Sequence, residues 1–320
     1  MAASALDGHV PALSTSKSQR QTRRGQMQPI VLGRLEIQKV VEMETSLPIE
    51  VLFPGVTAGD LSQLKGWYWD DVLSLDPAQA GCGLSMHSYL VRFSGKTILI
   101  DSCNGNDKDR STEAFHRLNT PWLDRLRKLG IAPEDVDMVM CTHLHVDHVG
   151  WNTRLDNGRW VPTFPNARYV MNRRDVDHIS SPSTHAMIRE PWLDSISPVI
   201  DAGQADLVDG DEVILGKVGD GMWLRPAYGH SPGSCMIHAC CGGSPAVFSG
   251  DVVHHPVQLI RPDLHFVYDW NGDLAEQVRI ALLEEIAGTD TMLFPAHFRY
   301  GSGGHVERDG DKYRFRFTQV

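Results

Sequence analysis

Apolar positions along this chain come in short runs that end at Gly, Pro or polar turn residues, and the runs begin at Ile30. Ile30-Val31-Leu32 and Leu35–Val41 predict two early strands. Leu84–Phe93 and Thr97–Ile100 predict a hairpin turning at Ser94-Gly95, and Val136–Cys141 is a further run of strand length. Two stretches switch to helical spacing. Trp122, Leu123, Leu126 and Leu129 share one face between Pro121 and Gly130. Leu274, Val278, Ala281, Leu282 and Ile286 do the same over Asp273–Ala287, ahead of Gly288. Tyr313–Phe317 alternates with a period of two, as a half-exposed strand does. Early strands, interleaved helices and two separated halves predict an α/β fold built as an αββα sandwich. No linker or internal repeat divides residues 29–320, which are expected to form one domain. Residues 1–28 are rich in Ser, Ala and Gln, carry Arg20, Arg23 and Arg24, and lack the apolar run of a secretory leader. They are expected to be a disordered tail.

One polar segment breaks this pattern. Thr142-His143-Leu144-His145-Val146-Asp147-His148-Val149-Gly150 directly follows the apolar run ending at Cys141. Unpaired polar groups are costly to bury, so a cluster of imidazoles and a carboxylate at a strand end is poorly explained by packing. Imidazole and carboxylate are ligands for zinc and its first-row neighbours. A chance group of solvated histidines is the bland alternative, and the rest of the chain argues against it. His230 sits in the Gly- and Pro-rich turn Gly229–Gly233, Asp251 follows the apolar Ala246–Phe248, and His297 follows Leu293–Ala296. Alone, each would read as a structural residue. The ordered series of cluster, His, Asp and His reads as a metal centre.

Composition limits the partners. The chain has 320 residues, 42% of them hydrophobic, which suffices for a large core. A formal charge of −10 disfavours general nucleic-acid binding, and no apolar run is long enough to span a bilayer. Cys82, Cys103, Cys141, Cys235, Cys240 and Cys241 show no zinc-finger spacing and are expected to be reduced, in a cytoplasmic protein. The expected partner is a small-molecule substrate, with a homodimer compatible.

The series resembles the metallo-β-lactamase-fold superfamily, whose hallmark is H-x-H-x-D-H followed by separated His, Asp and His. The resemblance runs from about Thr97 to His297 and implies two mixed sheets flanked by helices. Carried over, it implies that His143, His145 and His230 hold one metal, that Asp147, His148 and His297 hold a second, and that Asp251 bridges them. Asp101, ending the Thr97–Ile100 run, matches the family's supporting aspartate. Two zinc ions are expected, with iron, manganese or cobalt as substitutes, since ligand type selects weakly among these metals. Cations roughly 3.5–4 Å apart need an anionic bridge, and water on such a metal ionises near neutral pH. The implied chemistry is hydrolysis, a bridging hydroxide attacking a lactone or carboxylic ester, with Asp147 and Asp251 in the catalytic machinery.

Substrate is less legible. Residues 61–83 include Gly66-Trp67-Tyr68-Trp69-Asp70, a segment suited to a lid or an interface. Trp67, Trp69, Trp151, Phe266, Tyr268 and Phe298 are the candidate pocket aromatics. Acylhomoserine lactonases carry a tyrosine where this chain has His254, and Gly250-Asp251-Val252-Val253-His254 looks more like the methyl parathion hydrolase branch. His254 is therefore a candidate to assist the leaving oxygen, or else to orient a ligand. The resemblance leaves a phosphotriesterase and a glyoxalase-II-like thioesterase as alternatives. A redox diiron enzyme or a non-catalytic zinc protein fits less well, because no ligand position is lost.

Overall fold

The computed structural model describes residues 28–65, 68, 76, 80–301 and 303–318. Trp67 and Trp69 lie outside the described residues, as do residues 1–27 of the tail and most of 66–79.

The first sheet opens with β1 (Ile30–Leu32), β2 (Leu35–Pro48), β3 (Gly81–Phe93), β4 (Lys96–Ile100) and β5 (Met138–Met140). A separate hairpin of β6 (Thr153–Asp156) and β7 (Arg159–Pro162) intervenes before β8 (Arg168–Asn172) and β9 (Ala205–Val208) complete it. The second sheet follows in chain order as β10 (Val213–Lys217), β11 (Asp220–Pro226), β12 (Cys235–Cys241), β13 (Ser244–Gly250), β14 (Met292–Pro295), β15 (Gly304–Asp309) and β16 (Lys312–Phe317). Both sheets are mixed: β4, β5, β8 and β9 run parallel, as do β13 and β14, and the other pairs are antiparallel.

The two sheets face each other across one apolar layer. Ile37, Tyr89, Val91, Ile98, Ile100 and Met140 from the first meet Met222, Ile237, Phe248 and Phe294 from the second. Tyr89 packs against Phe248 and Phe294 at ring separations of 5.3 and 5.4 Å. Phe294 is fully buried, so truncating it to Ala would cost ~3–5 kcal/mol. The outer faces are closed by helices. Trp122 and Leu126 of Trp122–Lys128, with Val176 and Ile179 of Arg173–Ser180, cover the first sheet. Leu282, Leu283 and Ile286 of Gly272–Ile286 cover the second. This is the expected αββα sandwich.

Element by element, the periodicities place the structure to within a few residues. The hairpin turns at Ser94 and Gly95, both at positive φ. The helix after Pro121 stops before Gly130, and Asn271 caps the long helix by accepting the Leu274 N–H. Two readings needed extension. β2 runs on to Pro48, because its second half pairs with Gly81–Met86 of β3. Residues 81–83, assigned from sequence to the lid segment, belong to β3, and Leu61 and Leu64 are buried beside Ile260 and Phe266. Among the described residues, no helix is long and apolar enough to cross a membrane.

Candidate metal centre

Parallel strands deliver their C-terminal loops to the same edge of a sheet, and ligand sites in α/β folds gather at that edge. Here two parallel pairs do so, one in each sheet. Asp101 directly follows β4 and β5 runs into Thr142-His143, while Asp251 directly follows β13 and β14 leads to His297. The turn between β11 and β12 adds His230. A short helix, Val146–Val149, brings Asp147 and His148 around to the same point. Gly250 has φ +52, and a Cβ there would lie 2.7 Å from the Thr142 side chain, so the second sheet approaches the histidine loop only with glycine at this position.

The side chains form two sets around Asp251. In the first, His143 Nε2 and His230 Nε2 lie 3.1 and 2.9 Å from His145 Nδ1. In the second, His148 Nε2 and His297 Nε2 lie 3.7 and 3.6 Å from Asp147 Oδ2. Asp251 spans both. Its Oδ2 is 3.7 Å from His143 and 3.2 Å from His230, and its Oδ1 is 3.4 Å from His148 and 3.0 Å from His297.

Hydrogen-bond partners settle which ring nitrogen faces the centre. His148 Nδ1 is 2.9 Å from Asp101 Oδ2, and His230 Nδ1 is 2.9 Å from Asp269 Oδ1. His297 Nδ1 is 3.3 Å from the Ser85 carbonyl. Carboxylates and carbonyls only accept, so in each ring Nδ1 carries a hydrogen and Nε2 is the nitrogen left to offer a lone pair inward once it is deprotonated. Asp101 also accepts from the Thr142 N–H and hydroxyl, and the Thr142 oxygen lies 3.2 Å from His143 Nδ1. The loop holding Asp101 is strained, with positive φ at Asp101, Cys103 and Asp107.

Lone pairs converging at these distances repel unless a cation lies among them, so the donor set fits divalent metal ions. His148 Nε2 and Asp251 Oδ1 are buried without a hydrogen-bond partner, as metal-directed atoms would be. Protonation states agree. Burial, reinforced by neighbouring histidines, holds His143 and His145 well below the usual histidine range. Burial pushes Asp251 upward, but His297, His148, His254 and His143 outweigh it and hold the carboxyl well below its ordinary value. His148 and His297 are raised despite burial, chiefly by Asp251, so a cation must displace protons there and binds less well in acid.

The centre opens into a pocket of about 920 Å³, mouth included. Leu47, Leu52, Leu84, Met86 and Phe266 line one side, and Phe115, Met187 and Ile188 another, above His145, Asp147, His230, Asp251 and His297. Phe266 and Tyr268 are thus on the wall. Trp151 is not: it is buried, stacks on Trp122 at 5.6 Å and donates to the Glu42 carboxylate at 2.6 Å. Its position after the ligand helix turns it into the first sheet's outer core. Phe298 is not on the wall either: it is buried in the second sheet's outer core and packs on Phe315 at 5.2 Å. His254 is 1% exposed, stacked on Phe266 at 3.8 Å, with Nε2 3.2 Å from Asp251 Oδ2. It faces the carboxylate rather than the cavity.

Sequence inspection missed Asp269, Asp175 and Glu42, which are lone acids far from any motif. Asp269 had one usable signal, an acid next to the pocket aromatics Phe266 and Tyr268. The wall residues Phe115, Met187 and Ile188 had none.

Comparison with known proteins agrees with this geometry. A family model of the metallo-beta-lactamase superfamily matches residues 84–297. The N-acyl homoserine lactonase AiiB of Agrobacterium fabrum (strain C58) is 30% identical over 80 residues, a stretch spanning 21% of this chain and 28% of that lactonase. The fold matches the hydrolase AbOPH of the beta lactamase superfamily with a TM-score of 0.76 at 23% identity, covering 92% of this chain and 97% of the other. It matches AidC, a dizinc quorum-quenching lactonase solved with a homoserine product, with a TM-score of 0.74 at 20% identity and the same coverage. With the hallmark ligand series at one edge of an αββα sandwich, the chain belongs to the metallo-beta-lactamase superfamily of metal-dependent hydrolases.

Proposed function

We propose that this protein is a dinuclear metallohydrolase that opens an uncharged lactone or carboxylic ester carrying an apolar group. The observation that carries the reading is the pairing of two complete ligand sets with a pocket whose described lining contains no lysine or arginine. With Asp147 and Asp251 committed to the metals, the wall above them offers an anionic substituent no cationic side chain and one further carboxylate, Glu190, that repels it. This disfavours a glutathione thioester and favours a neutral one.

Two divalent ions, zinc in our reading, would be held by His143, His145 and His230 and by Asp147, His148 and His297, and supply a water that ionises near neutrality and an electrophile for the substrate oxygen. The chain's own part is positioning. Asp251 holds the two sets together and, with Asp147, contributes negative charge that partly offsets two dications. Phe266, Leu52 and Met187 exclude water and align the apolar group over the centre. Tyr268 lines this wall, and burial pushes its phenol up, so its hydroxyl stays protonated and is available to donate to a substrate oxygen. His254, packed between Phe266 and Asp251, orients the carboxylate.

Protein purified without added metal should contain close to two metal ions per chain by plasma emission analysis. Turnover is then measured on matched lactone, ester, thioester and phosphotriester panels, each in neutral and anionic form. Neutral lactones or esters should be preferred. Hydrolysis confined to anionic substrates, or one metal or fewer after zinc reconstitution, would overturn the reading. The same neutral pocket would accept an uncharged phosphotriester, which the last panel decides.

A further inference from the structure

Asp175 lies in the first turn of the helix Arg173–Ser180, is 1% exposed, and is itself no ligand. Its carboxylate accepts three hydrogen bonds, and every donor comes from a segment carrying a histidine of the first set. Leu144, between His143 and His145, donates its N–H to Oδ2 at 3.2 Å. Ser231, next to His230, donates its hydroxyl to the same oxygen at 2.9 Å, and Gly233 donates its N–H to Oδ1 at 2.6 Å. The Ser231 hydroxyl is fixed in turn by Ser234, 2.7 Å away. A Cβ on Gly233 would sit 2.7 Å from the Asp175 nitrogen and 2.9 Å from Oδ1, so the turn needs glycine to reach the acid.

These two segments are far apart in sequence, and His145 and His230 must converge within hydrogen-bonding distance. Besides Asp175, one backbone bond joins them, from the Cys235 N–H to the Thr142 carbonyl. No comparable bond runs from Asp175 to Asp147, His148 or His297. The His148 and His297 rings are held by Asp101 and Ser85 instead.

We infer that Asp175 is a positioning residue that sets the spacing of His143 and His145 against His230, and so controls cation affinity at the first set while leaving the second set alone. The inference rests on the reading that both sets hold a cation. A carboxylate is suited to the task because it presents acceptors to three donors. Asn in its place would turn an NH₂ toward one of them, leaving two buried donors face to face.

The test is cobalt(II) titration of the metal-free full-length protein, followed by calorimetry and by the visible spectrum of the bound ion. Asp175→Asn should weaken one of two binding events by about 10–100-fold, as loss of an outer partner does, and leave the other within about twofold. Backgrounds that retain a single complete set assign the effect. In His297→Ala, Asp175→Asn should weaken the remaining event; in His230→Ala it should not. Ser231→Ala removes one donor of the three and should produce a smaller loss in the same event, which keeps the inference testable if Asp175→Asn misfolds. Equal weakening of both events, or of neither, would overturn it. Wild-type protein that binds no cobalt would instead remove the dinuclear reading, and this inference with it, so the two failures are distinguishable.

Discussion

The two ligand sets share Asp251 but are held by different parts of the molecule. His148 is tied to Asp101, in the loop after β4, and His297 to the Ser85 carbonyl of β3, both strands lying in the first sheet. His230 is tied to Asp269, whose other oxygen accepts the N–H of the pocket residue Phe266 at 3.0 Å. The N–H groups of Trp270 and Asn271 also bond the carbonyls of His230 and Gly229. His148 and His297 are thus anchored to the sheet and His230 to the substrate wall, while Asp101 also holds Thr142 beside His143. A change in the wall should reach the first set and spare the second.

The largest effect is expected where the sets join. Asp251→Asn keeps the shape but removes the shared charge, so turnover should fall at least ~10²-fold with loss of one metal per chain. Near-normal turnover with two metals would deny the bridging role and erase the comparison. Next come the two anchors. Asp101→Asn and Asp269→Asn should each lower metal affinity ~10–100-fold. Only Asp269→Asn should also raise KM, because it releases Phe266. Equal KM changes in both variants would mean that the wall is not coupled to one set alone.

A smaller effect concerns the wall's support. Lys108 is fully buried, donates to Thr153 Oγ1 at 2.8 Å and to the Asp194 carbonyl at 3.0 Å, and lies over the Trp160 ring. Asp194 belongs to the segment that comes after Met187 and Ile188. Burial pushes the Lys108 ammonium down to about 7, against the pull of Asp194. Between about pH 7 and its unfolded value near 10.4, only the unfolded chain is protonated there. Stability should therefore rise with pH across that window, by up to ~1.4 kcal/mol per unit, and the gain should be gone once pH has fallen to about 7. Urea denaturation of wild type against Lys108→Met checks this: the wild type should gain on the variant from about pH 7 to 9. A constant gap would show Lys108 charged throughout. The metal count should be the same in both.

Smallest of all should be the functional effect of Trp151→Phe. Removing the indole N–H leaves Glu42 short of one donor and should cost ~1–3 kcal/mol of stability, while KM and metal content hold. A rise in KM would restore Trp151 to the substrate wall.

The centre was legible wherever residues close in space are also close in sequence or sit at strand ends. His143, His145, Asp147 and His148 occupy one loop, and Asp251 and His297 follow apolar runs that any strand reading finds. Side-chain periodicity likewise located β4, the helix ending before Gly130 and the alternation of β16. Those signals are local, since the spacing of two or 3.6 residues that turns side chains to one buried face is written over a few neighbouring residues.

The surroundings of the ligands were decided by tertiary structure alone. Trp67, Trp151, Phe266 and Phe298 are all aromatics near a motif or an insertion, and composition gives no reason to separate them. Phe266 reaches the pocket because Asp269 folds its loop back on His230, whereas Trp151 turns to Trp122 and Phe298 to Phe315. Asp175 and Asp269 likewise gain their roles from donors on segments remote in sequence. A ligand's chemistry is carried by its residue type, but a supporting carboxylate or a pocket wall is defined by which distant backbone arrives beside it, and packing of the two sheets makes that choice.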